Sequence, residues 1–119
     1  MSAAPRPGGS VRGSATGRPI MALFDLVGRR WTLRVLWELS QAGEPVTFRT
    51  LKARCADMSS SVLTRRVEEL RQARLVTRRS GGYALSALGE DLVASMQPLL
   101  AWSRRWATEL ETPAASDAG

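Results

Sequence analysis

Between Thr47 and Leu85 the hydrophobic period of the chain changes in a fixed order, and that order restricts the fold more than any single motif does. Phe48, Leu51 and Cys55 recur at helical spacing behind a capping threonine, Thr47, which predicts a helix from Phe48 to Ala56. Asp57–Met58 forms a tight turn. Ser59 then caps a second helix, Ser60 to Ala73, whose inward stripe is Leu63, Val67 and Leu70. Its outward positions are Ser61, Thr64, Arg65, Glu68 and Gln72. Leu75 to Arg79 and Tyr83 to Leu85 read as short strands around a Ser80–Gly81–Gly82 turn. Two short helices, a tight turn and a small hairpin give the element order of a winged helix-turn-helix, mainly α with a small β-hairpin.

The flanks complete one compact domain over residues 19–111. Ile20 to Val27 is a short apolar helix ended by Gly28, and Trp31 to Gln41 is a helix apolar nearly all round, interrupted only by Arg34 and Glu38. Gly43 and Pro45 end it, leaving Glu44–Pro45–Val46 as a connector. Ser86 caps a last helix from Ala87 to Leu110, which at 1.5 Å per residue would run about 36 Å, with a kink at Pro98. Leu88, Leu92, Met96, Leu99, Leu100, Trp102, Trp106 and Leu110 form an apolar face longer than a small winged-helix core can cover. This long C-terminal helix is therefore expected to be a dimerisation element, using Leu23, Phe24, Met96, Leu99, Leu100, Trp102 and Trp106. Residues 1–18, rich in Gly, Ser, Ala and Pro, read as a disordered basic tail, and residues 112–119 as a second tail.

Composition narrows the chemistry. The sequence has no histidine and one cysteine, Cys55, so no zinc-ligand spacing and no Ser-His or Cys-His nucleophile pair exists. Its acidic residues are scattered at helix-surface spacings. Neither an enzyme, a metal site nor a cofactor is expected. No apolar run approaches the roughly 18 residues of a membrane span, and the N-terminus lacks a signal-peptide core, which points to a soluble cytoplasmic protein. A lone thiol fits that reducing compartment.

Charge points to a polyanion. The net charge is +6, and residues 29–79 carry twelve Lys/Arg against five Asp/Glu, while residues 80–119 carry two against five. A helix about 10–12 Å across fits a major groove roughly 12 Å wide. The first half of the Ser59-capped helix carries the side chains such an approach needs: Ser60, Ser61, Thr64 and Arg65. Arg65 is suited to bidentate pairing with guanine. Arg49, Arg78 and Arg79 are expected to meet backbone phosphates.

From Ile20 to Trp106 the chain resembles the HxlR-type family of bacterial transcriptional regulators, relatives of the MarR-type winged helices. The resemblance is carried by Gly28–Arg29–Arg30–Trp31–Thr32–Leu33, Phe48–Arg49–Thr50–Leu51, Met58–Ser59 through Leu63, Leu70, Tyr83–Ala84–Leu85–Ser86–Ala87–Leu88–Gly89 and Trp102. It implies a homodimer, assembled through the first and last helices, that binds operator DNA with paired reading helices and wings. Two departures stand out. The wing is shortened to Ser80–Gly81–Gly82, and no cysteine precedes the second helix, where some family members sense oxidants.

The expected function is a sequence-specific, double-stranded-DNA-binding regulator acting as a homodimer and a repressor; its operator and effector are not encoded in any motif. Two alternatives remain open on the sequence. One is a winged-helix protein–protein module, and the other a redox-sensing regulator using Cys55, whose inward position favours a buried structural thiol.

Overall fold

The computed structural model describes residues 4–113. Its elements run α1 (Pro19–Val27), α2 (Thr32–Ala42), α3 (Phe48–Arg54), α4 (Ser60–Gln72), β1 (Val76–Arg79), β2 (Gly82–Leu85), α5 (Ala87–Ser95) and α6 (Gln97–Glu111). This is the mainly helical winged helix-turn-helix architecture with its small hairpin and long C-terminal helix.

Local chemistry sets the boundaries. Side chains of Thr47, Ser59 and Ser86 accept from the backbone N–H of Thr50, Val62 and Gly89, each occupying an otherwise unpaired donor at a helix start. The α1–α2 corner is tight because Trp31 adopts a left-handed conformation at φ 75°, with the Arg30 guanidinium 5.2 Å from its ring centroid. The β1–β2 hairpin pairs Val76 with Leu85 and Arg79 with Gly82, so the connecting loop is only Ser80–Gly81, both at positive φ.

Gly82, expected in the turn, instead belongs to β2, and a Cβ there would lie 2.9 Å from the Val46 backbone. That close approach has a use. Val46 and Tyr83 exchange two backbone hydrogen bonds of 2.8 Å, which tie the α2–α3 connector to the hairpin as a third, single-residue strand.

The core gathers Leu26, Val35, Leu36, Leu39, Val46, Leu51, Cys55, Met58, Leu63, Val67, Leu70, Leu75, Val76 and Leu85. Every element from α1 to β2 contributes to it, α5 adds the half-buried Leu92 and Val93, and no residue of α6 is buried.

Two expectations need restating. The continuous helix from Ala87 to Leu110 is divided at Met96 into α5 and α6. Pro98 is the cause: without an N–H it cannot continue the α5 ladder, and it sits instead in the first turn of α6, where none is required. The N-terminal segment, expected to be a disordered tail, is described from Ala4 onward as a series of turns laid along the domain. Gly8 N–H bonds Gly17 O at 2.9 Å, Val11 and Ser14 bridge each other, and Ala4 N–H donates to Gln72 Oε1 at 3.0 Å. These bonds satisfy backbone groups that apolar burial alone could not order. Of the C-terminal tail at 112–119, only residues 112 and 113 lie within the described residues.

Candidate nucleic-acid interface

α4 has two faces of opposite character. Leu63, Val67 and Leu70 are fully buried, as the spacing requires, and they seat the helix on the core. On the other side Ser60, Ser61, Thr64 and Arg65 are all exposed, on the first two turns. Thr64 Oγ1 donates to Ser60 O at 2.9 Å, which leaves its methyl and an acceptor lone pair outward. Ser61 Oγ lies 3.3 Å from Ser59 Oγ. Arg65 has no hydrogen-bonding or ionic partner among the described residues, so its whole fork of donors is available. Farther along, Glu68 is half-buried and held by Arg71 Nη1 at 3.3 Å, which neutralises much of its repulsion toward a polyanion.

The two wing arginines part company. As neighbours on β1 they face opposite sides of the hairpin. Arg78 lies 5.2 Å from the Tyr83 ring centroid and shares a surface depression with Glu68, Arg71, Gln72 and Arg74 of the α4 end. Arg79 lines a different depression with Leu39, Glu44, Glu90 and Gln97, between the end of α2 and α5. Arg49 is exposed on the first turn of α3.

Sequence reasoning missed one part of this site. Glu69, next to Glu68 in the second half of α4, is 1% exposed. Its Oε2 accepts from Arg29 Nη1 at 2.6 Å and its Oε1 from Arg66 Nη1 at 2.7 Å. Arg66 Nε also donates to Arg30 O at 2.8 Å. Arg29 Nε in turn lies 3.5 Å from Oδ1 of the buried Asp25, whose Oδ2 accepts from Arg12 N–H at 3.1 Å. Ion pairs and charged hydrogen bonds thus link the end of α1, through Arg29 in the corner, to the middle of α4, the Arg29–Asp25 step being an ion pair without a hydrogen bond. The only signal in the sequence was the local excess of arginine at 29, 30, 65 and 66, which does not reveal pairing.

The candidate dimer residues are largely uncovered. Phe24 is 55%, Leu99 60%, Trp102 46% and Trp106 53% exposed, with Leu23, Met96 and Leu100 half-buried. Trp102 and Trp106 stack at 5.6 Å between centroids and 16° between planes. Leu33 and Trp37, on the nearly all-apolar α2, are also exposed, and they line an apolar groove with Val93, Met96, Leu99 and Leu100.

Cys55 is 3% exposed at the end of α3. Burial pushes its thiol pKa up, Glu38 pushes the same way, and Arg34 and Lys52 oppose it. A raised pKa and lack of access both disfavour the reactive thiolate. Among the described residues no group of His, Cys, Asp and Glu is placed to hold a metal ion, and no helix is long and apolar enough to cross a membrane.

Residues 26–111 match the HxlR-like helix-turn-helix family. Among solved structures the chain is similar to quinone-bound YodB from B. subtilis, with a TM-score of 0.67 and 28% identity over 72% of this chain and 96% of that one. It is similar also to a protein described as a "possible HxlR family transcriptional factor" from Thermoplasma volcanium GSS1, with a TM-score of 0.64 and 28% identity over 72% of this chain and 82% of that one. A MarR-family protein from Enterococcus faecalis V583 shares the fold, with a TM-score of 0.68 and 23% identity over 77% of this chain and 88% of that one. No curated protein matches the sequence.

Proposed function

Since the chain belongs to the HxlR-like helix-turn-helix family, we propose that it is a sequence-specific DNA-binding regulator of transcription that acts in the cytoplasm as a homodimer. The observation that carries this reading is the division of α4, an apolar face sunk in the core and a short, cationic, hydrogen-bonding face left open on its first two turns.

In this reading the first half of α4 enters the major groove. Ser60, Ser61 and Thr64 are small enough to bring the backbone close, and Arg65 reads a guanine through O6 and N7. Arg49 on α3 and Arg78 beside the end of α4 hold phosphates and fix the register, and Arg79 reaches the backbone from the other side of the hairpin. The hairpin loop of Ser80 and Gly81 is too short to extend far along a minor groove. A second copy covers the exposed faces of α1 and α6, and the paired α4 helices meet two half-sites. A dimer seated this way on a promoter occludes polymerase, which makes it a repressor.

The test is binding to DNA selected from a random pool, measured across salt concentration. Affinity for the selected site should fall steeply with salt, and Arg65→Ala should lose about 1–3 kcal/mol of discrimination at one base position. No binding at low salt would overturn the reading in favour of a protein–protein module. An Arg65→Ala variant with unchanged base preference would overturn the role given to that side chain.

A further inference from the structure

Glu69 occupies an unusual place for a carboxylate: nearly inaccessible, on the rear of the candidate reading helix, between two guanidinium groups. Stability does not account for it. Burying an ion pair costs desolvation that its attraction only partly returns, and well-packed apolar residues of similar volume often do better. Direction is what the charges add. Leu63, Val67 and Leu70 hold α4 on the core through contacts that are non-directional, so by themselves they permit the helix to roll or slide. Charge-assisted hydrogen bonds fix distance and angle together.

The anchor points are well separated. Arg29 and Glu69 stand 40 residues apart, and Arg66 reaches Arg30 O across 36. Arg29 also faces Asp25 at the end of α1, one position beyond the exposed Phe24. One guanidinium therefore touches both the helix assigned to the dimer contact and the helix assigned to DNA.

We infer that the Arg29–Glu69–Arg66 cluster is a positioning device that fixes the angle of α4 against α1, and so sets the separation at which a dimer presents its two reading helices. The inference rests on the dimeric DNA-binding reading above. None of the three side chains needs to touch DNA.

The experiment compares DNA selected from a random pool by the full-length wild type, Arg66→Lys and Glu69→Gln, with each protein's oligomeric state measured by sedimentation. Arg66→Lys keeps the charge and every core side chain, but an ammonium cannot hold Glu69 Oε1 and Arg30 O in the planar geometry of the fork. The wild type should select paired half-sites at one fixed separation, a whole number of helical turns of about 10–10.5 base pairs. Arg66→Lys should keep the same bases within each half-site while the separation broadens. Its ratio of selected-site to random-DNA affinity should fall about tenfold, or roughly 1.4 kcal/mol. Glu69→Gln should show the same change more strongly; should it fail to fold, Arg66→Lys alone decides. A dimeric Arg66→Lys that selects the wild-type separation with the wild-type ratio overturns the inference, even where its melting temperature drops, since a merely structural role would move only the latter. A wild type that sediments as a monomer, or selects single unpaired sites, overturns the dimeric reading itself and this inference with it.

Discussion

α4 and α6 are helices of similar length, 13 and 15 residues, each with an apolar stripe, and the domain treats them in opposite ways. α4 buries Leu63, Val67 and Leu70 and turns a polar face outward. α6 buries nothing and displays Leu99, Trp102, Trp106 and Leu110. The difference shows what amphipathicity encodes. An apolar stripe demands a cover, because exposed apolar area is unfavourable in water, but it does not specify whether the cover is the same chain or another. For α4 the cover is the core of its own domain. Among the described residues α6 packs against α5 and shares a groove with Leu33 and Trp37 of α2, and the stacked tryptophans remain open.

The contrast can be broken most forcefully by truncating one residue from each stripe. Leu63→Ala leaves a cavity among side chains that cannot collapse fully, and should cost about 2–5 kcal/mol in a urea titration. Leu110→Ala, at the exposed end of α6, should stay within about 0.5 kcal/mol when the protein is dilute enough to be monomeric. Equal losses would mean that α6 is held by its own domain after all.

The next largest effect belongs to association. If the proposed homodimer forms through α6, Trp106→Ala should weaken it by about 2 kcal/mol, roughly thirtyfold in dissociation constant, because a large aromatic that becomes desolvated on association is the usual centre of an interface. Sedimentation equilibrium reads it directly. An unchanged dissociation constant would remove the Trp102–Trp106 stack from the interface, and the apolar groove lined by Leu33 and Trp37 would then be the surface to examine.

The starts of α3, α4 and α5 and the buried face of α4 were legible in the sequence because their determinants are local. Thr47, Ser59 and Ser86 are caps recognisable within four residues of the donors they serve, and the spacing of Leu63, Val67 and Leu70 fixes a face by geometry alone. What was not legible depends on partners distant in the chain. Glu69 looks like any carboxylate on a helix surface until the fold brings Arg29 to it across 40 residues. Leu33 and Trp37 lie on a helix that is apolar nearly all round, and its pattern does not tell which side the rest of the domain leaves uncovered. The backbone bridge between Val46 and Tyr83 carries no side-chain signal at all. The candidate site divides in the same way: the outward residues of α4 follow from period and cap, whereas the device that orients the helix does not.

The smallest effect concerns how the two helices begin. Ser59 is extended at φ −69° and ψ 156°, and its hydroxyl accepts from Val62 N–H at 3.2 Å. α6 starts from Met96, which is in the right-handed helical region and makes no side-chain cap, since α5 runs almost directly into it. Removing the cap by Ser59→Ala should therefore cost about 1 kcal/mol of domain stability. The matching change Met96→Ser should gain little, because a serine in helical geometry cannot turn its hydroxyl onto the following turn. Ser59 also borders the candidate reading face, so DNA affinity separates its two possible duties. A stability loss with affinity for the selected site unchanged in the folded protein makes Ser59 a cap alone. A further fall in affinity beyond the unfolded fraction would place its hydroxyl, or the N–H groups it orders, against a phosphate, and would extend the reading face one residue toward the turn.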